Sequence, residues 1–438
     1  RHWLIGPPLP TLRLAEERLN KVRALAAFSP DALSSIAYAN QEIFLGLVVA
    51  GSAGLAYAWP IGLAITALLG VLALSYFQTV HAYPGGGGSY TVARENLGTL
   101  PGLIAAAALL IDYVLTAAVS LTAGVAAIAS AFPALWPYRV EIALVLLVVI
   151  TLANLRGLRE TGTLMTIPVY LFLFAYLSML AIGLVRAFVD GPGSMAVTAP
   201  PATVALTPFL ILHTFAAGCT ALTGIEAISN GVPAFKRPET KNAGITLIVM
   251  AALMGVLFVG SIGLTHYFAV VAGSNETILS ALARRILGSG IPYVVVQSAT
   301  LLILAVAANT SFAGFPRVAS LLARDGYLPH QLSQLGDRLV FSNGMLALAA
   351  LTGLLIVVFN GDSHALIPLF AVGVFLAFTL SQAGMVVHWI RQRGYSWRLK
   401  ALVNGAGTAT TLVTLLVVAV SKFVEGAWIV AGLIPVIV

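Results

Sequence analysis

The chain has 438 residues, of which 59% are hydrophobic and 9% charged, with a mean hydropathy of +0.97. Soluble domains carry about 25% charged residues, so a globular aqueous enzyme is excluded. The formal charge of +7 falls between the apolar stretches, where membrane topology explains it and nucleic acid is not needed. The one cysteine, Cys219, excludes an intrachain disulfide and a cysteine-cluster metal site.

Residues 1–24 are basic and broken by Pro7, Pro8 and Pro10, which predicts a cytosolic N-terminal segment. Residues 25–438 predict one all-α integral membrane domain. Apolar runs long enough to cross a hydrocarbon core of about 30 Å recur along it. They fall at about 29–55, 59–82, 102–131, 140–156, 162–187, 205–230, 243–269, 290–310, 344–360, 364–388 and 401–421. A shorter last stretch runs from Trp428, giving about twelve spans. With the N-terminus inside, 18 of the 23 Lys and Arg residues lie in inside segments, as the positive-inside rule requires. Between the second and third spans, Tyr83 and Pro84 precede four glycines, Gly85 to Gly88, and Ser89. No Gly-Lys-Ser/Thr follows, so a tight inter-helix connection is expected rather than a phosphate loop.

Two spans carry polar interruptions in corresponding places. The first holds Asp31, Ser34, Ser35, Tyr38, Asn40, Gln41 and Glu42, and the sixth runs from Ala217 through Gly218, Thr223, Gly224 and Glu226 to Gly231. Broken helices 1 and 6 are the mark of a five-plus-five inverted repeat that binds its substrate at the membrane midplane. Repeat one then covers about 25–190, repeat two about 203–390, and helices 11 and 12 about 401–438.

Four carboxylates, Asp31, Glu42, Asp112 and Glu226, lie within or at the edges of spans. A charge at the bilayer centre costs roughly 2.5–3.5 kcal/mol on insertion scales, so such residues face a cavity, a partner or an ion. Asp112, Thr116 and Ser120 are spaced by four and share one helix face, with Tyr113 beside them. Thr223 lies one turn before Glu226. Asp31 in Ser29-Pro30-Asp31 also fits a helix start, where an acid meets free N–H groups. Hydroxyls and carbonyls are hard donors suited to alkali or alkaline-earth cations. Burial favours the neutral form of a carboxylate and a bound cation favours the charged form, so one group can sense both proton and cation. His213 stands alone and is expected to pack, and His266, His364 and His388 near span ends are expected to be exposed. No catalytic triad is seen.

The stretches Ser29 to Tyr38, Tyr83 to Tyr90 and Ile111-Asp112-Tyr113 resemble the amino acid–polyamine–organocation superfamily, and within it the KimA-type potassium importers of the KUP group. The likeness runs through essentially the whole chain. It implies a LeuT-like fold, proton-coupled potassium symport and a homodimer in the cell membrane. It also implies that Asp31 is a gate or proton-path carboxylate, that Tyr38 closes over the ion, and that Asp112, Tyr113, Thr116, Ser120, Thr223 and Glu226 surround potassium. Asp31, Asp112 and Glu226 would then couple to protons, and no cofactor is implied. The family has a tyrosine where Phe370 stands, which removes one hydroxyl. Members also carry a C-terminal domain that binds cyclic di-AMP. No such domain lies within residues 1–438, so that regulation is not carried over. The rival is an amino acid or polyamine permease of the same superfamily. Amino-acid members use a glycine-rich break in the first span, and Ser34 to Asn40 contains no glycine.

Overall fold

The computed structural model describes residues 18–156, 165–189, 201–273, 275–336 and 340–438. Most of residues 1–24, and Arg159 and Arg338 of the charge tally, lie outside them. Among the described residues the chain is helical, with one isolated parallel bridge between Leu19 and Phe235. The helices are α1 Lys21–Phe28, α2 Pro30–Val48, α3 Gly51–Leu55, α4 Ala58–Ala82, α5 Ser89–Leu97, α6 Thr99–Ala131, α7 Arg139–Leu155 and α8 Thr166–Val189. They continue as α9 Pro208–Gly218, α10 Ala227–Asn230, α11 Glu239–Tyr267, α12 Ile278–Leu287 and α13 Ile291–Arg324. The last four are α14 Ser342–Val358, α15 Ser363–Gln392, α16 Trp397–Ser421 and α17 Trp428–Ile437.

Nine helical stretches among the described residues are long and apolar enough to cross a membrane, and Ser342–Val358 and Phe423–Ile437 are shorter apolar helices. The chain is therefore a multi-pass membrane protein. Helices α6 and α15 form its centre, each 72% buried over its most apolar window, whereas the stretch Pro133–Leu155 is only 22% buried. The reason is side-chain size. Ala105 to Ala108, Ala117 and Ala118 are all essentially inaccessible, so neighbouring backbones approach α6 closely. A Cβ placed on Gly124 would meet Leu304 of α13 at 3.3 Å, and one on Gly373 of α15 would meet the Ala108 carbonyl at 3.2 Å.

The polar stretch of the first span does not interrupt a helix as expected. Asp31 to Glu42 lie within the continuous helix α2, and the discontinuity comes earlier, at Ser29, where Pro30 brings no N–H to the ladder. Asp31 stands in the first turn of α2, as a helix start there implies, and the Ser29 hydroxyl at the N-cap has no partner in the protein. The sixth span divides where its glycine stands. Helix α9 ends at Gly218, a short 3-10 turn covers Cys219–Leu222, and Thr223 to Glu226 lead as turns into α10. Gly224 has φ +76, a conformation side chains rarely adopt, and a Cβ there would meet the Ala32 amide nitrogen at 2.6 Å and Asp31 Oδ2 at 2.8 Å.

The segments flanking these two regions are tied together at one end. The Leu19 N–H donates to the Ala234 carbonyl at 2.7 Å, and the Lys236 N–H donates to the Leu19 carbonyl at 2.9 Å. The Phe28 and Phe235 rings stack 5.6 Å apart, and Arg18 pairs with Glu239.

Candidate functional site

Helix α6 brings Asp112, Thr116 and Ser120 into the protein interior on consecutive turns. Their Oδ1, Oγ1 and Oγ atoms are buried and bond nothing in the protein. This is informative because a helical Ser or Thr normally satisfies itself on the preceding turn. Thr122 does so on the same helix, donating to the Ala118 carbonyl at 2.9 Å. A buried hydroxyl or carboxylate oxygen left without a partner costs roughly 1–3 kcal/mol, so three on one face mark a surface built for something else.

The opposite walls come from α2 and the Thr223–Glu226 turn. Asp31, in the first turn of α2, also has a buried oxygen, Oδ1, without a partner. Asp31, Asp112 and Glu226 lie close enough for their charges to interact mutually. Tyr38, two turns along α2 and 4% exposed, lies within electrostatic range of Asp31 and Asp112. Thr223 donates its own hydroxyl to the Thr220 carbonyl at 3.1 Å. Tyr113 lies within electrostatic range of Glu226, Asp112 and Asp31. Its ring is seated on Gly314 of α13, where any Cβ would strike it. Tyr38, Asp112, Tyr113, Glu226, Asp31 and the turn that carries Thr223 are thus brought to one region, while Thr116 and Ser120 follow Asp112 along α6. Phe370 is fully buried in α15.

Two partners of Glu226 were not singled out in the sequence. Ser89 donates to Glu226 Oε2 at 2.7 Å, and the Tyr76 hydroxyl donates to the same oxygen at 3.4 Å. The tetraglycine run puts Ser89 there. The Gly87 N–H donates to the Ser229 carbonyl at 2.9 Å, the Ser229 hydroxyl returns a bond to the Gly87 carbonyl, and Gly88 abuts the Asn230 side chain. The run is therefore a tight connection as expected, and its smallness lets the loop lie against α10. The signal for Ser89 in the sequence was the hydroxyl that ends the run.

Tyr38 also lines a cleft that it shares with Gln41, Thr277, Thr300 and Ser363. Beside it, the Glu42 carboxylate pairs with His364 at 2.5 Å, and the other ring nitrogen of His364 meets Gln41 at 3.1 Å. Glu42 is thus part of a pair at the cleft edge. His213 is not alone: Lys422 Nζ meets its Nε2 at 2.7 Å and Glu425 lies at 3.2 Å. His388, expected to be exposed, is 9% exposed and packs on Tyr83 and Trp389.

On the far side of Glu226, α5 carries Tyr90 and Arg94, and both bond Asp325 just beyond the end of α13. Burial, then the Asp325 carboxylate, pushes the Tyr90 phenol above its usual range, so it remains a donor.

Comparison with known proteins gives the family. The family model described as "Amino acid permease" matches residues 22–438. The chain belongs to the amino acid permease family. A curated relative, the protein named "Potassium transporter KimA" from Bacillus subtilis (strain 168), is 44% identical over 441 residues, covering 100% of this chain and 72% of that protein. This permease is a membrane transporter and not an enzyme.

Proposed function

We propose that this permease takes up potassium together with protons by alternating access. The observation that carries the reading is the α6 face, where Asp112, Thr116 and Ser120 present buried oxygens that bond nothing in the protein. Potassium is a hard cation served by such oxygens, and the relative at 44% identity is named a potassium transporter. Tyr38, Tyr113, Thr223 and Glu226 complete the proposed cage. Asp31, Asp112 and Glu226 are the groups between which the cation and the proton are divided, one carboxylate ionised beside the cation while another carries the proton.

In this reading α1 to α8 and α9 to α15 are the two inverted halves. The α1–α2 junction and the α9–α10 turn are their paired discontinuities, within about twelve membrane crossings. The protein lies as a homodimer in the cell membrane with its N-terminus in the cytoplasm. The Gln41 and Tyr38 cleft is then the outer approach, and the Arg94 and Asp325 end is the inner one. An amino acid substrate is disfavoured because α2 is continuous from Pro30 to Val48 and frees no run of amides for an α-carboxylate.

Rubidium uptake into proteoliposomes under an inward proton gradient tests the reading. The wild type is expected to accumulate rubidium in competition with potassium, while Asp112→Asn and Glu226→Gln lose uptake. Transport of labelled amino acids or polyamines without rubidium would overturn it.

A further inference from the structure

Helix α2 carries its acids and its phenol along one face. Asp31, Tyr38 and Glu42 are spaced by seven and four, so on a helix unbroken from Pro30 to Val48 they form one stripe. At 1.5 Å per residue, Glu42 stands about 16 Å along the axis from Asp31.

The end of the stripe away from the site is occupied by a second titratable group. His364, in the first turn of α15, meets Glu42 Oε1 with Nδ1 at 2.5 Å and the Gln41 side-chain nitrogen with Nε2 at 3.1 Å. The His364 side chain is 35% exposed and that of Glu42 10%, so the imidazole is the member of the pair that faces water. On its own element, Asp362 accepts from the His364 N–H at 2.9 Å. Lys422, just past α16 and within electrostatic range of the ring, is held by Glu425 at 2.8 Å and by His213 of α9 at 2.7 Å. Arg139 of α7 bonds the Asn360 carbonyl at 2.9 Å, and Glu276 pairs with Arg284 of α12 at 3.1 Å. Two carboxylates thus face the ring, and the ammonium in range brings its own counter-charge. That setting suits an imidazole that gains and loses a proton near neutral pH.

Between the pair and the site lies the cleft of Tyr38, Gln41, Thr277, Thr300 and Ser363. It leaves about 10 Å³ for water, the room of a single molecule, and a hydrated cation does not fit. A proton needs only a run of oxygens, and the Tyr38, Thr277, Thr300 and Ser363 hydroxyls supply one.

We propose that the Glu42–His364 pair is the outer proton port of the permease, feeding the carboxylates of the site along the α2 stripe. His364 takes a proton from outside water on one ring nitrogen and gives up the proton on the other to Glu42. One N–H forms, one N–H breaks and one O–H forms. Glu42 then passes the proton to water in the cleft and is ionised again. The assignment deepens the proposed symport and rests on it for the direction of travel.

Rubidium uptake driven by a proton gradient is compared with rubidium–potassium exchange at equal pH on both sides. Exchange cycles with the proton held in place, so it needs no port. In variants that elute as the wild type does, His364→Gln and Glu42→Gln are expected to slow gradient-driven uptake about tenfold at an external pH of about 7.5. The defect should shrink at about pH 5.5, where protons are plentiful, and exchange should stay within about twofold of the wild type. Glu42→Asp, which keeps an ionisable group, should restore most of the uptake. Uptake and exchange falling together, or neither changing, overturns the port. Infrared difference spectra of the protein without cargo give a second readout. The pair should take up a proton as pH falls from about 8 to about 5, a change absent from His364→Gln. No such change overturns the port whatever the cargo is. A wild type in which the pair titrates but which moves no rubidium keeps the port and removes the potassium reading instead.

Discussion

Thr116 and Thr122 stand six residues apart on one helix and use the same hydroxyl in opposite ways. Thr122 spends its proton on the Ala118 carbonyl, whereas Thr116 bonds nothing in the protein. Thr116→Val keeps the volume and removes only the oxygen. It should raise the half-saturating rubidium concentration about fivefold, in line with one lost hydrogen-bond-strength contact. Thr122→Val should leave it unchanged, and equal effects of the two would deny Thr116 a role as ligand. The carboxylates give a pH dependence with a definite sign. In symport one carboxylate carries the proton while another holds the cation, so rubidium uptake should fall as pH rises from about 5 to about 8 and the proton site empties. In Asp112→Asn the remaining uptake should lose part of that slope. The four-residue spacing of Asp112, Thr116 and Ser120 was legible in the sequence because helical periodicity fixes which side chains share a face. The partners of Glu226 were not, since Ser89 lies 137 positions away along the chain and only the docking of the glycine loop brings it near.

At the scale of elements, two glycines mark where one segment must lie against another. Gly224 combines φ +76 with contact to Asp31 and the Ala32 amide. Gly224→Ala should therefore both strain the turn and push α2 away, lowering the midpoint of thermal unfolding and abolishing uptake. Gly314→Ala keeps an ordinary backbone but displaces the Tyr113 ring, so uptake should fall more than stability. Gly70→Ala, which meets nothing within 4 Å, is the neutral control. Uptake by Gly314→Ala equal to that of Gly70→Ala would mean the Tyr113 seat does not matter. The sixth-span division was legible from its Gly224-Ile225-Glu226 stretch. The first-span division was misplaced because polarity is not discontinuity: Tyr38 and Asn40 are polar residues on an intact helix, and the proline before them makes the break.

For the whole molecule, the charge tally makes the sidedness testable. In the Cys219→Ser background, an impermeant thiol reagent added outside cells should label Tyr138→Cys but not Tyr395→Cys, positions that are 60% and 95% exposed. The reverse pattern would invert the topology. Hydropathy made the membrane class readable, because apolar length is a local property. The central place of α6 and α15 was not, because it depends on which faces meet. The tie between Leu19 and the Ala234–Lys236 backbone, with Phe28 stacked on Phe235, bears on how such a machine avoids leaking. Two backbone bonds and one ring pair are together worth on the order of 3 kcal/mol. A conformer in which α1 swings while the α10–α11 connection stays put forfeits that sum, so it is rarer by about a hundredfold than one in which both swing. The half-open state, through which ions would slip uncoupled, is thereby thinned out by a strand only one residue long.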